Sequence, residues 1–408
     1  MSNIPLALKN AVNFSLLSVL AAATASCSFA RADSSAYKTF ADWCENRPNL
    51  SSGATQTVEV LLEKAGTEEC DRANEILSNL HELDLTGFPG FKSQPGFPFP
   101  DEEPSQISNL EPLATLSQLT DLNLYGNRIV NLEPLAELTQ LESLSISANR
   151  VRDLEPLAKL SQLTELNLHG NRINNLEPLA ELTQLELLSV SANRIRNLEP
   201  LAGLSQLTEL DLSENSISDL EPLAKLYQLD VLSISNNKIT ALDPLSSLTG
   251  ITEIYLEGNQ ISDINPLSEL TRLKIIILNE NRISDVSPLS ELTDVNLLML
   301  LGNEIVDVKP LASLLNLKFL GASDNQVVDV EPLSRLTGLK SLSLEQNEIL
   351  TVDSLTKLTD LERLFLSGNQ IANVEPLVAL TNLEVLLLRE NPLGDHRCPV
   401  QPETICHF

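Results

Sequence analysis

The chain reads as an α/β solenoid, with a parallel β-sheet on one side, turns and short 3-10 helices on the other, and a helical N-terminal cap. Three observations predict it. Thirteen asparagines recur 22 residues apart: Asn127, Asn149, Asn171, Asn193, Asn215, Asn237, Asn259, Asn281, Asn303, Asn325, Asn347, Asn369 and Asn391. Just ahead of each, apolar residues alternate with others, as in Leu122-Asn123-Leu124, the period-two signature of a strand with one buried face. Proline keeps the same period from Pro112 and Pro134 through Pro310, Pro332 and Pro376, with Ser354 as the one interruption. A period held this strictly means one short unit stacked on itself.

Residues 1–32 read as a secretory signal. Lys9 supplies a thin positive start, Phe14 to Ala23 an apolar run, and Ala30-Arg31-Ala32 a small-residue cleavage motif. The run is too short to span a bilayer. Thr24-Ala25-Ser26-Cys27 approaches a lipoprotein site, but Thr24 stands where leucine is favoured, so lipidation of Cys27 is the weaker alternative. A buried N-terminal helix is the other. Export puts the mature chain in the secreted, periplasmic or cell-envelope space, with no membrane insertion after cleavage.

Residues 33–80 form the expected N-terminal cap. Val58, Leu61, Leu62 and Ala65 share one helical face, and Gly66 suits the helix stop. Thr67 is then placed to cap a second helix through Cys70, Ala73, Ile76 and Leu77.

Residues 81–393 make the solenoid, about thirteen to fourteen coils. In the unit from Leu119 to Leu138, Leu122 and Leu124 face the core and Asn127 turns the chain inward. An amide carries two donors and an acceptor, so it bridges backbone groups of its own and neighbouring coils where no water reaches. Proline's fixed φ and missing N–H suit the first position of a helical turn on the return path. Ser354 predicts a slightly softer coil. An insertion at 88–104 delays the second coil: Phe88, Phe91, Phe97 and Phe99 sit among prolines and glycines, which exclude regular structure. These rings either fold back over the cap or protrude as a contact, and the first is favoured.

Residues 394–408 close the other end. Four cysteines remain after export, only at the two ends: Cys44 and Cys70, Cys398 and Cys406. The local pairs are the economical choice among three connectivities in an oxidising compartment. Terminal coils have one unburied flank and need such caps. A metal site is disfavoured because no histidines stand at suitable spacing.

The motif LxxLxLxxNxIxxLxPLxxL, over roughly residues 77–393, resembles the 22-residue leucine-rich repeats of bacterial internalins. It also resembles the repeats of the leucine-rich-repeat regulatory subunit of protein phosphatase 1, a reading the export signal disfavours. The resemblance implies a right-handed horseshoe whose concave parallel sheet recognises other proteins. It covers core residues, so it specifies fold more than function. Internalins carry a helical N-terminal cap; a cysteine pair there departs from them, as does the lack of their immunoglobulin-like region and wall anchor.

The net charge of −29 moves to about −31 once Lys9 and Arg31 leave with the signal. Such a chain repels nucleic acid and anionic membranes, which rely on basic patches. Much of the charge is solvated face: Glu133, Glu155, Glu177, Glu199 and Glu221 each precede a proline, near the start of a turn that favours an anion. Catalysis is not expected. His81, His169, His396 and His407 are dispersed, no phosphate loop or hydrolase motif occurs, and no cofactor or metal is implied.

The outward strand positions follow from the register. Coils one to four offer mainly small polar residues such as Ser143, Ser145, Ser189 and Ser191, in a near-exact 44-residue duplication that argues against a dedicated site there. Coils eight to ten differ. Ile275, Ile277, Leu297, Met299, Leu301 and Phe319 are large and apolar where solvent-facing residues belong, with Tyr255, Phe365 and Leu387 extending the theme. Acids flank them at Glu253, Glu257, Asp324 and Glu345. An apolar centre with a charged rim suits a protein partner. Self-association as a homodimer, or a glycan-binding structural or adhesive role in the envelope, are the alternatives; few aromatic rings on the sheet disfavour the glycan.

Overall fold

The computed structural model describes residues 37–87, 106–394 and 397–408. The expected signal segment with Cys27, the whole insertion at 88–104, and His396 lie outside the described residues. Residues 37–408 form one compact unit.

Among the described residues, fifteen strands make one parallel sheet in strict chain order, from β1 (Glu82–Asp84) to β15 (Cys406–His407). The register advances by 22 residues at each internal step from Asp121 onward, as in Asp121↔Ser143 and Ser143↔Glu165. The period is therefore a spatial identity: every rung repeats the same environment. One leucine-rich core runs the whole length, with Leu122, Leu124, Ile129, Leu132, Leu135 and Leu138 buried in the first full coil and their counterparts behind them. Each coil exposes its leucines on both flanks, so only stacking removes them from water.

The asparagines hold consecutive coils together. Asn259 Oδ1 accepts the Ile239 N–H at 3.0 Å, while Nδ2 donates to Ile234 O at 3.0 Å and Leu256 O at 2.9 Å. Asn127 does the same toward Ile107, Leu85 and Leu124, and Asn391 toward Ile371, Leu366 and Leu388. The residue before each asparagine takes a left-handed conformation, whether Gly170 (φ 67°) or Ala148 (φ 54°), Glu280 (φ 52°) or Gln346 (φ 51°).

The return path is a 3-10 turn beginning one residue before the proline, as in Glu133–Glu137. An Asn or Asp ahead of it accepts a backbone N–H: Asn131 Oδ1 from Glu133 at 3.1 Å, Asp329 Oδ1 from Glu331 at 2.8 Å. Ser354 leaves the geometry of its turn intact: Asp353–Lys357 keeps five residues and buries Leu355.

The N-terminal cap holds three α-helices, α1 (Phe40–Glu45), α2 (Ser52–Ala65) and α3 (Cys70–Leu77). The first is absent from the hydrophobic periodicity. Thr39 and Asp42 close a capping box at its start: Thr39 Oγ1 accepts the Asp42 N–H at 3.2 Å and Asp42 Oδ2 accepts the Thr39 N–H at 2.8 Å. The N–H groups of Lys38 and Thr39 hold the Asp42 carboxyl below its usual range. On α2, Val58, Leu61, Leu62 and Ala65 are buried and Gly66 ends the helix at φ 66°. The third helix starts later than its sequence suggests. Glu69 occupies the cap position, and Thr67 Oγ1 accepts the Glu69 N–H at 3.2 Å.

Disulfides sit at both ends. Cys44–Cys70 ties α1 to α3 with Cα atoms 5.5 Å apart; Cys398–Cys406 spans 5.7 Å. The C-terminal segment also extends the sheet, with Leu386↔Cys406 in register and Leu388 N–H donating to His407 O at 2.8 Å.

Candidate functional site

Strand pairing sorts the outward residues into rows that cross the coils. Ile275, Leu297 and Phe319 are direct neighbours in one row; Tyr255, Ile277 and Met299 are direct neighbours in the next. Leu301 stands one position further toward the strand ends. It is 39% exposed and Phe319 is 37% exposed, while the others of this group are half-buried by one another. These seven residues form one contiguous apolar surface on three strands and the edge of a fourth.

Phe365 and Leu387 pair with each other, but stand apart from this surface. Their row reads Met299, Gly321, Ser343, Phe365, so a glycine and a serine separate the two groups. The sequence pattern alone did not reveal that break. Met299 partly covers it, because its Sδ occupies the space above Gly321.

Tyr255 marks the N-terminal rim. Its hydroxyl donates to Glu253 Oε2 at 2.7 Å. Burial, followed by the neighbouring carboxylate, pushes the phenol up to about 12, so the ring presents a neutral donor already committed to Glu253. On the opposite rim, Ser323 Oγ lies 2.7 Å from Ser343 Oγ and accepts the Glu345 N–H at 3.0 Å. Lys340 pairs with Glu362 at 3.3 Å at the strand starts.

The N-terminal half of the sheet contains a feature that sequence reasoning missed. An open groove of about 340 Å³ crosses coils two to six over Ser145, Asn167, Ser189 and Ser233, bordered by Glu165, Glu209 and Asp211. It exists because those side chains are short. Its floor is self-satisfied: Ser145 and Ser147 hydroxyls lie 3.0 Å apart, Ser189 Oγ donates to Asp211 Oδ2 at 3.1 Å, and Ser213 and Ser233 hydroxyls lie 2.6 Å apart. A ligand there would displace existing hydrogen bonds and gain little apolar burial. The apolar surface of coils eight to ten has the larger driving force.

A family model for leucine-rich repeats, two copies each, matches residues 139–181, 183–225 and 227–269. Among solved structures, an internalin from Listeria monocytogenes is 27% identical, covering 86% of this chain and 94% of its own, with a TM-score of 0.69. This is an internalin-type leucine-rich-repeat protein. A second Listeria monocytogenes structure, the functional domain of InlJ, shares the fold at 21% identity, with 88% of this chain and 77% of that one aligned and a TM-score of 0.65. That domain includes a cysteine ladder; this internalin-type chain has asparagines in its ladder and cysteines at its ends. The ectodomain of the Arabidopsis thaliana receptor kinase GASSHO1/SCHENGEN3, in complex with CASPARIAN STRIP INTEGRITY FACTOR 2, aligns at 26% identity over 69% of this chain and 37% of that one, TM-score 0.60. A search of the curated proteins finds no match. The architecture of the internalin-type chain is the leucine-rich-repeat horseshoe, a fold that commonly serves as a protein-binding module. Among the described residues no helix is long and apolar enough to cross a membrane.

Proposed function

We propose that this protein is an exported, non-enzymatic binding module that recognises a partner protein on the concave face of its sheet, centred on coils eight to ten. One observation carries the reading: Ile275, Leu297 and Phe319 run side by side next to Ile277 and Met299, on a face where the other coils carry mainly small or polar residues. Leucine-rich repeats commonly bind proteins, and the plant ectodomain similar to this chain is seen in complex with a protein factor, which supports the class of ligand. The composition supports it too. Phe319 and Tyr255 supply aromatic anchors, Met299 adapts its shape, and Glu253 and Glu345 supply a polar rim. Two disulfides fit an oxidising compartment and so support export.

The test is capture of partners from the cell envelope and medium by the wild-type chain and by a Leu297→Glu/Met299→Glu variant. Both side chains face outward, so the variant keeps its circular dichroism spectrum. A protein retained by wild type and lost with the variant supports the reading. Equal retention by both removes this face from consideration and turns attention to the phenylalanine-rich insertion or the serine-floored groove.

A further inference from the structure

The flank of the solenoid at the C-terminal ends of the strands carries a charge pattern that reverses along the chain. Immediately after the ladder asparagine stand Arg128, Arg150, Arg172 and Arg194 in coils one to four. Backbone bonds fix their stacking: the N–H of Arg150 donates to Ile129 O at 2.9 Å, that of Arg172 to Val151 O at 2.8 Å, and that of Arg194 to Ile173 O at 2.8 Å. Successive side chains therefore leave the flank one coil apart, about 5 Å. Arg152 and Arg196 emerge two residues further along the same flank. Arg150, Arg152, Arg172, Arg194 and Arg196 are exposed, and among the described residues none of them forms an ion pair. Like charges stacked this closely repel one another, and the corner before each asparagine is only Gly or Ala in these coils. Among the described residues no ion pair offsets this repulsion at Arg150, Arg172 and Arg194.

In coils nine to eleven the same positions read Glu304, Gln326 and Glu348. Where Arg152 and Arg196 stand in the early coils, these carry Val306, Val328 and Leu350, which are 53%, 41% and 58% exposed. They form an apolar ridge lined by carboxylates, distinct from the sheet face. Beyond coil four the row is basic at two positions, Lys238 and Arg282.

We propose that this flank is the interface of an antiparallel homodimer, in which the arginine coils of one copy lie against the acidic, ridged coils of a second. A two-fold interface must be self-complementary, and a surface whose sign reverses end to end satisfies that condition. Setting coils two, three and four against coils eleven, ten and nine brings Arg150 to Glu348 and Arg194 to Glu304. The aliphatic stems of Arg152 and Arg196 then cover Leu350 and Val306. The same register puts Arg282 opposite coil five, whose corner carries Glu214. Symmetry makes every contact twice. The dimer relieves the stacked arginines and removes the ridge from water while leaving the sheet face open, so it stands or falls independently of the binding reading above.

The experiment is sedimentation of the full chain at low and high salt, with two variants checked by circular dichroism. Arg150→Glu/Arg194→Glu sets acid against acid at both charge pairs; Glu304→Arg/Glu348→Arg sets base against base there. The wild type sediments as a dimer at low salt and dissociates as salt rises. Each variant alone associates at least ten-fold more weakly, because both charge pairs now repel and symmetry makes each of them twice. An equal mixture of the two restores the dimer, since at every one of these pairs an acid again meets a base. A monomeric wild type at low salt overturns the proposal, as does a mixture that stays monomeric. A monomeric wild type retained on a sulfated polysaccharide also overturns it and assigns the arginines to an anionic glycan.

Discussion

Met299 lies over Gly321. The two residues are register partners on adjacent strands, and a Cβ built on Gly321 meets Met299 Sδ at 2.6 Å. A flexible thioether thus fills the space left by a missing side chain and smooths the apolar surface between coils nine and ten.

Gly321→Ala is predicted to lift Met299 off the sheet without unfolding the chain. The atom in the way is the movable end of a side chain, so stability changes by less than about 1 kcal/mol, within the range of ordinary outward-face substitutions. Urea denaturation checks the stability, and the ε-methyl NMR signal of Met299 checks the move.

Asn259→Ala leaves Ile239 N–H without its acceptor and takes one of two amide donors from Ile234 O and Leu256 O, which keep Asn237 and Asn281. A buried backbone group left unpaired costs about 1–3 kcal/mol. A loss of about 1–3 kcal/mol is expected by denaturant unfolding. Hydrogen exchange should accelerate at Ile239 and its neighbours first.

Gly170→Val places a β-branched residue at φ 67°. The eight non-glycine residues at equivalent corners are Ala, Glu, Asn, Asp or Gln, never β-branched. A loss of about 1–2 kcal/mol follows from left-handed strain, read as a lowered melting temperature. Ala148→Gly at the preceding corner should be neutral or slightly stabilising.

The Cys44–Cys70 bridge closes a separation of 26 residues. Loop-closure entropy assigns such a bridge about 3–4 kcal/mol. A Cys44→Ser/Cys70→Ser variant should lose the cap first, visible as faster exchange at Val58 and Leu61 before any change at Leu298.

Tyr255 should ionise near pH 12. The unfolded phenol titrates at its ordinary value of 10.0, so between pH 10 and about 12 the folded chain binds more protons than the unfolded one. Stability from this group is complete below that window and is lost as pH rises through it. Ultraviolet titration of tyrosinate detects the late step; Tyr255→Phe removes it, and Glu253→Gln moves it back toward the ordinary value.

Much of the fold was legible because its key residues are identical from coil to coil. Asn127 and its twelve successors, with the alternation of Leu122 and Leu124, fix the strand, its buried face and its register. The left-handed corners were not legible, because the residue before the asparagine varies from Gly170 to Glu280 and the backbone bonds around the asparagine impose its conformation. Helix α1 escaped for a different reason: six residues held by a capping box and a disulfide need no periodic apolar face. The strand at Cys406–His407 exists only by pairing with Leu386 and Leu387, a tertiary fact. At the candidate site the register named the outward residues, but only the structure showed Phe365 and Leu387 set apart beyond Gly321 and Ser343.

The most direct measurement is site-specific photocrosslinking on the intact chain in its native cell envelope, with a photoreactive side chain at Leu297 or, as a control on the return-path side, at Val378. The account predicts one discrete protein adduct from position 297 and none from 378. Adducts from 378 alone, or none from 297 while the chain still captures a partner, would contradict a binding surface on coils eight to ten.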